Sequence, residues 1–162
     1  MSGFTMNIRD YLLEQTDKDW SALLSDWAAL LPANEFTVWL VNRFGDVVMV
    51  LNDGTVHMLD VGAGKLERLA GSRDEFAARL DEGDNADLWL LISLTDACTA
   101  KGLRLGTSQC YGWKVPPLLG GKYDVENVEP TDLVVHYGLL ADIWRQTKDL
   151  PDGIPVDAVL GD

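Results

Sequence analysis

The chain holds two cysteines, two histidines and 13 basic residues among its 162 positions, and each shortage closes off a class of protein. Cys98 and Cys110 are too few for a disulfide framework, so both read as free thiols of a reducing compartment. A structural zinc site needs four ligands, and only Cys98, Cys110, His57 and His136 are on offer, without paired spacing. No metal and no cofactor is therefore expected. Nor is there an apolar run long enough to cross a bilayer, which takes roughly 18 to 20 residues. The longest candidate, Leu88 to Leu94, is broken by Ser93 and Thr95. The stretch from Met1 to Asp10 lacks a basic start followed by an apolar segment, so no secretory signal is expected and the location is cytoplasmic.

The shortage of basic residues is the strongest of these signals. Against them stand 26 acidic residues, giving a net charge of −13. Such a field repels phosphate backbones and disfavours direct nucleic-acid binding. It also speeds association with a basic partner. Plain solubility is the competing explanation for the same charge.

Catalytic motifs are missing at named positions. Val61-Gly62-Ala63-Gly64-Lys65 invites a phosphate-loop reading, but Leu59 stands where that pattern needs its first glycine. Leu66 likewise stands where it needs Ser or Thr. The stretch reads better as a turn between strands. For nucleophilic catalysis the only candidates are Cys110, His136 and a carboxylate such as Asp132. Asp132 and His136 fall at i, i+4 on a helix, a spacing that also describes an ordinary surface pair. His57 reads as a residue of a sheet surface. The chain is read as a non-enzyme.

What is present organises into one α+β domain over residues 1–162, with an antiparallel meander flanked by helices. Residues 1–34 form a helical segment. After Asp17, its expected N-cap, apolar residues fall at Trp20, Leu23, Leu24, Trp27, Leu30 and Leu31, and Pro32 closes the run. Ile8 to Leu13 reads as a shorter helix in front of it. Four strands follow, Phe36–Val41, Val47–Leu51, Thr55–Leu59 and Lys65–Leu69, joined by links so tight that they must pair antiparallel. Ser72 and Glu75 make a capping box for the next helix. A longer helix is expected over Ala86 to Lys101, with Leu88, Leu91, Ile92, Thr95 and Cys98 on its buried face and Gly102 as its C-cap. Cys110 to Gly121, punctuated by a double proline and a double glycine, reads as neither regular helix nor central strand. The last helix spans Asp132 to Lys148, capped by Thr131, with Pro151-Asp152-Gly153 ending it. Trp20, Trp27, Trp39, Trp89 and Trp144 fall on core stripes and are expected to be mostly buried.

A set of short segments in order carries a family resemblance. They are Asn42-Arg43-Phe44-Gly45, Gly54-Thr55-Val56-His57-Met58-Leu59-Asp60 and Ser72-Arg73-Asp74-Glu75-Phe76. Then come Tyr111-Gly112-Trp113-Lys114-Val115-Pro116-Pro117-Leu118-Leu119-Gly120-Gly121, Asn127, Arg145-Gln146 and Asp149-Leu150-Pro151-Asp152-Gly153. The Pro-Pro-x-x-Gly-Gly block followed by Asn is the most specific part. In this order they resemble the DUF1851 family, also called the Tdi1 C-terminal domain of type VI secretion immunity proteins, here over a core of residues 36–153. The resemblance implies a fold akin to the SMI1/KNR4-like one, and a protein that binds and blocks a cognate toxin. Members are paired with DNase effectors, which makes a basic nuclease the implied partner, and they often carry a GAD-like domain in front. A regulatory protein-binding module of SMI1/KNR4-like type is the alternative.

Charge and resemblance together suggest where a toxin would be held. Trp113 and Tyr123 are candidate anchors, with Asp124, Glu126 and Glu129 as an acidic rim. Gly112, Pro116, Pro117, Gly120, Gly121, Asn127, Arg145 and Gln146 read as structural, setting a bend and its packing. Arg145 and Gln146 are expected to tie the last helix to the motif loop. Neither membrane nor nucleic acid is expected as a partner, and the oligomeric state is not legible.

Overall fold

A computed structural model describes residues 7–149. Residues 1–6 lie outside that range, as does the Pro151-Asp152-Gly153 stop. Four strands, β1 (Phe36–Val41), β2 (Val47–Leu51), β3 (Val56–Asp60) and β4 (Lys65–Ala70), pair antiparallel in sequence order. This is the meander expected from the tight links, flanked by helices as an α+β fold. The register runs Val47 to Leu59 and Val48 to Met58, and β1 carries an irregularity between Val38 and Leu40.

Both faces of this sheet are covered. Strand alternation sends Val47, Met49 and Leu51 to one face, where they meet Trp27, Tyr137 and Leu140. Val48 and Met58 go to the other, against Phe76 and Trp89. The apolar run of β2 follows directly, since all of its residues but the half-buried Val50 are buried, on both faces. A third cluster gathers Phe44, Cys98, Tyr111, Trp113 and Val128 beyond the end of the sheet.

The helical expectations needed the most correction. The segment after Asp17 is no long helix. Asp19, not Asp17, accepts from the Ala22 N–H as N-cap of a one-turn α1 (Trp20–Leu23), and a 3₁₀ turn at Ser25–Trp27 follows. Asp17 itself is left-handed, at φ 63°. Ile8–Tyr11 is a single 3₁₀ turn, after which Leu12 bridges to Asn42. α2 (Arg73–Leu80) starts at the expected Ser72 cap, which accepts from the Glu75 N–H at 3.0 Å.

The helix expected over Ala86 to Lys101 is two. α3 (Asn85–Leu90) and α4 (Ile92–Ala100) meet at Leu91, left-handed at φ 51°. Asp87 secures the break: its carbonyl takes the Leu91 N–H and its carboxylate takes the Ser93 N–H at 2.7 Å. The interruption rotates α3, so Leu88 faces solvent at 58 % exposure while Thr95 and Cys98 remain buried. At the other end Gly102 (φ 87°) closes α4 as expected, with its N–H on the Thr99 carbonyl and that of Leu103 on Cys98.

The proline-rich stretch, read as neither regular helix nor central strand, opens on an edge strand. Gln109–Trp113 is a true strand, β5, paired antiparallel with β6 (Val128–Asp132) as a second, two-stranded sheet. Pro130 opposite Tyr111 is tolerated in a two-stranded ribbon because an edge strand has unpaired positions. α5 (Leu133–Thr147) follows at once, and its cap is Asp132, whose carboxylate takes the Val135 N–H, rather than Thr131. Among the tryptophans, Trp27 and Trp89 are buried, while Trp20, Trp39 and Trp144 pack half-buried at the margins of their clusters.

Candidate functional site

Three turns and one helix break converge on a single cleft. The first turn joins β1 to β2. Asn42, 1 % exposed, accepts from the Phe44 and Asp46 N–H groups and donates to the Asp46 carboxylate and the Trp89 carbonyl. Gly45 takes the left-handed conformation that this turn requires (φ 85°). The turn thereby buries Asp46, whose second oxygen accepts from the Val61 N–H at 3.0 Å.

The second turn joins β3 to β4 and is the glycine-rich string that mimics a phosphate loop. Asp60 accepts from the Ala63 N–H here, and the Gly64 N–H returns to the Asp60 carbonyl. Gly62 has no room for a side chain: a Cβ would sit 2.8 Å from Trp113 Nε1. These glycines let the turn lie against Trp113 and Trp144.

The third turn is the Pro-Pro-x-x-Gly-Gly loop, and the structure accounts for most of its residues. Asn127 clamps both ends: it accepts from the Val115 N–H and donates to the Val115 and Lys122 carbonyls, at 2.8 to 2.9 Å. A side chain on Gly121 would run into the Val115 carbonyl, and one on Gly112 into the Thr131 hydroxyl. Pro116 is buried, and its carbonyl accepts from the Leu119 and Gly121 N–H groups. Pro117 opens a 3₁₀ turn at Pro117–Leu119 that leans on Gly62, and Gly120 closes it at φ 90°. This packing fixes where Tyr123, Asp124 and Val125 stand.

Together these elements and the α3–α4 break enclose a cleft of about 820 Å³. Five carboxylates line it, from Asp46, Asp60, Glu67, Asp87 and Asp124, with Lys65 as the single cation among the described residues. Lys65 lies 3.9 Å from Glu67. Apolar lips complete it, formed by Leu88 on α3 and Tyr123 on the motif loop, 58 % and 52 % exposed. Burial holds the Asp46 carboxyl well above the usual carboxylate range, and the charge of Asp60 adds to this. Asp60 is raised as well, again mainly by burial. The Tyr123 hydroxyl is pushed up by burial and then by the charges of Asp60 and Asp46.

Of the five residues that the sequence suggests as toxin contacts, the cleft unites Tyr123 and Asp124. Trp113 is a correction: it is 9 % exposed, stacked on Phe44 at 5.0 Å and covered edge-on by Tyr123 at 5.1 Å. It belongs to the core and supports the lip from beneath. Glu126 sits outside the cleft and bonds Lys101 at 3.1 Å. Glu129 is exposed on β6, opposite Gly112. Arg145 and Gln146 do not reach the motif loop. Arg145 donates to the Asp26 carbonyl and so ties α5 to the N-terminal segment, while Gln146 bonds Asp142. Sequence reading missed Asp46, Asp60, Glu67 and Asp87, because nothing local separates them from the other acids.

The Cys110–His136 pair has no arrangement for nucleophilic catalysis, which needs a thiolate with a base beside it. Burial drives the Cys110 thiol far up, helped by Asp46 and Asp132. His136 is no surface partner of Asp132: it is 3 % exposed and its Nε2 bonds the Phe44 carbonyl at 2.8 Å. Beside it the Tyr137 hydroxyl donates to the Gly45 carbonyl at 2.7 Å. The two residues latch α5 onto the β1–β2 turn.

That latch predicts an acid sensitivity. Burial lowers His136 to about 4, from the ordinary value of about 6.5. Its contribution is complete above the unfolded value and is lost as pH falls through the folded one. The loss between pH 6.5 and 4 is about 3 kcal/mol. Asp46 works in the opposite sense, because its raised folded value makes stability fall as pH rises from the unfolded value. Urea unfolding of wild type and His136→Gln over this range separates them. The difference between the two proteins should shrink steadily as pH falls, and a constant difference would refute the assignment.

The molecule is thus an α+β protein in which the loop from Val115 to Asn127 brings Tyr123 and Asp124 to an acidic, partly apolar cleft. Residues 70–144 match the family model described as T6SS immunity protein Tdi1, C-terminal, the family that the motif residues resemble. The match runs from the end of β4 into α5 and contains the whole motif loop. No curated protein matches the chain. Among solved structures, the crystal structure of Atu4351 from Agrobacterium tumefaciens is similar at 19 % identity and a TM-score of 0.46. The alignment covers 75 % of this chain and 63 % of that one. No helix among the described residues is long and apolar enough to cross a membrane.

Proposed function

We propose that this protein protects a bacterium by binding and neutralising a cognate type VI secreted toxin, and that the toxin is a basic nuclease, most simply a DNase. The observation that carries this reading is the match of residues 70–144 to a type VI immunity family. Charge supports the nuclease part. A nuclease holds phosphate in a basic groove, and a chain of net charge −13 is suited to meet such a surface while itself avoiding nucleic acid. The chemistry required is occlusion, with neither catalyst nor cofactor, carried out in the cytoplasm where an injected nuclease would act.

The test is co-expression with the toxin-like product encoded beside this gene. Cells carrying both should grow, cells carrying the toxin alone should die, and the two proteins should co-purify in equal amounts. Survival without any complex would contradict neutralisation by binding.

A further inference from the structure

We propose that the cleft between β3–β4, the α3–α4 break and the Tyr123–Val125 segment is the seat for an arginine side chain of the partner, presented with an apolar neighbour. This rests on the reading that the partner is a basic protein, and it names the contact. Charge complementarity identifies the occupant. Five carboxylates line it against Lys65 alone, and three of them, Glu67, Asp87 and Asp124, are exposed to a donor arriving from outside. Its lining is divided in a way that a free metal ion would not use. Glu67, Asp87 and Asp124 are exposed around it together with Leu88 and Tyr123, while Met58, Trp89 and Leu94 give its interior an apolar wall. An arginine fits both halves, laying its aliphatic stem along the lips and turning its planar donors to the acids. A ring over a guanidinium adds a cation–π contact.

The lip is also held in place before any partner arrives. Asn127 fixes the loop that carries Tyr123 through three hydrogen bonds, and Trp113 supports the ring from below. Asp87 is fixed by its bond from Ser93, and Asp60 by its bond from Ala63. Each keeps lone pairs free for a further donor. An anchor pocket of this kind needs little ordering on binding, which is where interface energy concentrates.

Two measurements test this together. First, ¹⁵N-labelled protein is titrated with acetyl-Leu-Arg-Leu-Arg-Leu-amide, and with the same peptide bearing citrulline for arginine. Citrulline keeps the shape and removes the charge. The Val61, Ala63, Leu91 and Tyr123 amides should shift with the arginine peptide, and binding should weaken about tenfold or more with citrulline. No response, equal response to both peptides, or shifts spread over the whole acidic surface overturn the proposal. So does a dimer of this chain that the arginine peptide fails to compete away.

Second, the complex with the neighbouring toxin is measured for Glu67→Lys/Asp124→Lys and for Asp74→Lys/Glu82→Lys. The second pair makes the same charge change at exposed sites away from the cleft. The cleft pair should weaken binding about 100-fold and the control pair less than about fivefold, with thermal unfolding confirming that both fold. Equal weakening overturns the cleft. Should the wild-type protein bind no such toxin, the immunity reading fails, and the peptide titration alone still decides the cleft.

Discussion

Gly121→Ala is expected to destabilise the protein by about 4 kcal/mol and to lower its melting temperature by about 10 °C. The cause is local and steric. A Cβ at this position would overlap the carbonyl of Val115, a backbone atom with no rotamer to relieve the clash. Overpacking of that kind costs up to about 3 kcal/mol. The Val115 carbonyl is also an acceptor of Asn127, so moving it breaks part of the clamp, for about 1 kcal/mol more. Gly106→Ala is the control. Its nearest foreign atom is the Gln109 amide oxygen at 3.4 Å, an ordinary contact, and its φ is not left-handed. That variant should melt within a few degrees of wild type. If the two alanine variants melt together, the loop is looser than its packing implies.

How much of this was legible in the sequence depends on the range over which each signal acts. The meander was legible because segments rich in β-branched and aromatic residues and tight turns such as Asn52-Asp53-Gly54 are local signals. The helices α2 and α4 announced their ends through Ser72 and Gly102 for the same reason. The break at Leu91 was not legible, since no proline or glycine marks it. It is held by Asp87 and by the packing of Trp89 against Phe76 on the far side of the sheet. β5 was hidden for a different reason. Its partner β6 begins 15 residues further on and contains a proline, so neither half looks like a strand alone. The motif loop was legible as a motif and as structure, but its purpose was not. Only the fold brings Tyr123 and Asp124 to acids that lie far apart in the chain, at positions 46, 60, 67 and 87. A net charge of −13 announces acidity somewhere on the surface, and cannot say that five carboxylates share one cleft.

Trp113 and Tyr123 then make a sharp pair of expectations, because they touch each other and do different work. Trp113→Ala should cost about 3 to 5 kcal/mol of stability, as for a large aromatic removed from a core. The ring is 9 % exposed and stacks on Phe44 at an interplanar angle of 26°. Its loss leaves Phe44 and the Gly62 turn facing a void. Tyr123→Ala removes a ring that is half exposed and makes one edge contact, so its stability cost should stay near 1 kcal/mol. The order reverses for toxin binding. Tyr123→Ala should weaken the complex by about 2 kcal/mol or more, the cost of an anchor at the centre of an interface. Trp113→Phe refills much of the core volume and keeps a support beneath the lip, so it should bind almost as wild type does. Urea unfolding gives the first ordering and calorimetric titration with the toxin gives the second. Should Trp113→Phe lose binding while remaining folded, the tryptophan itself would be a contact, and the lip would have to open to expose it.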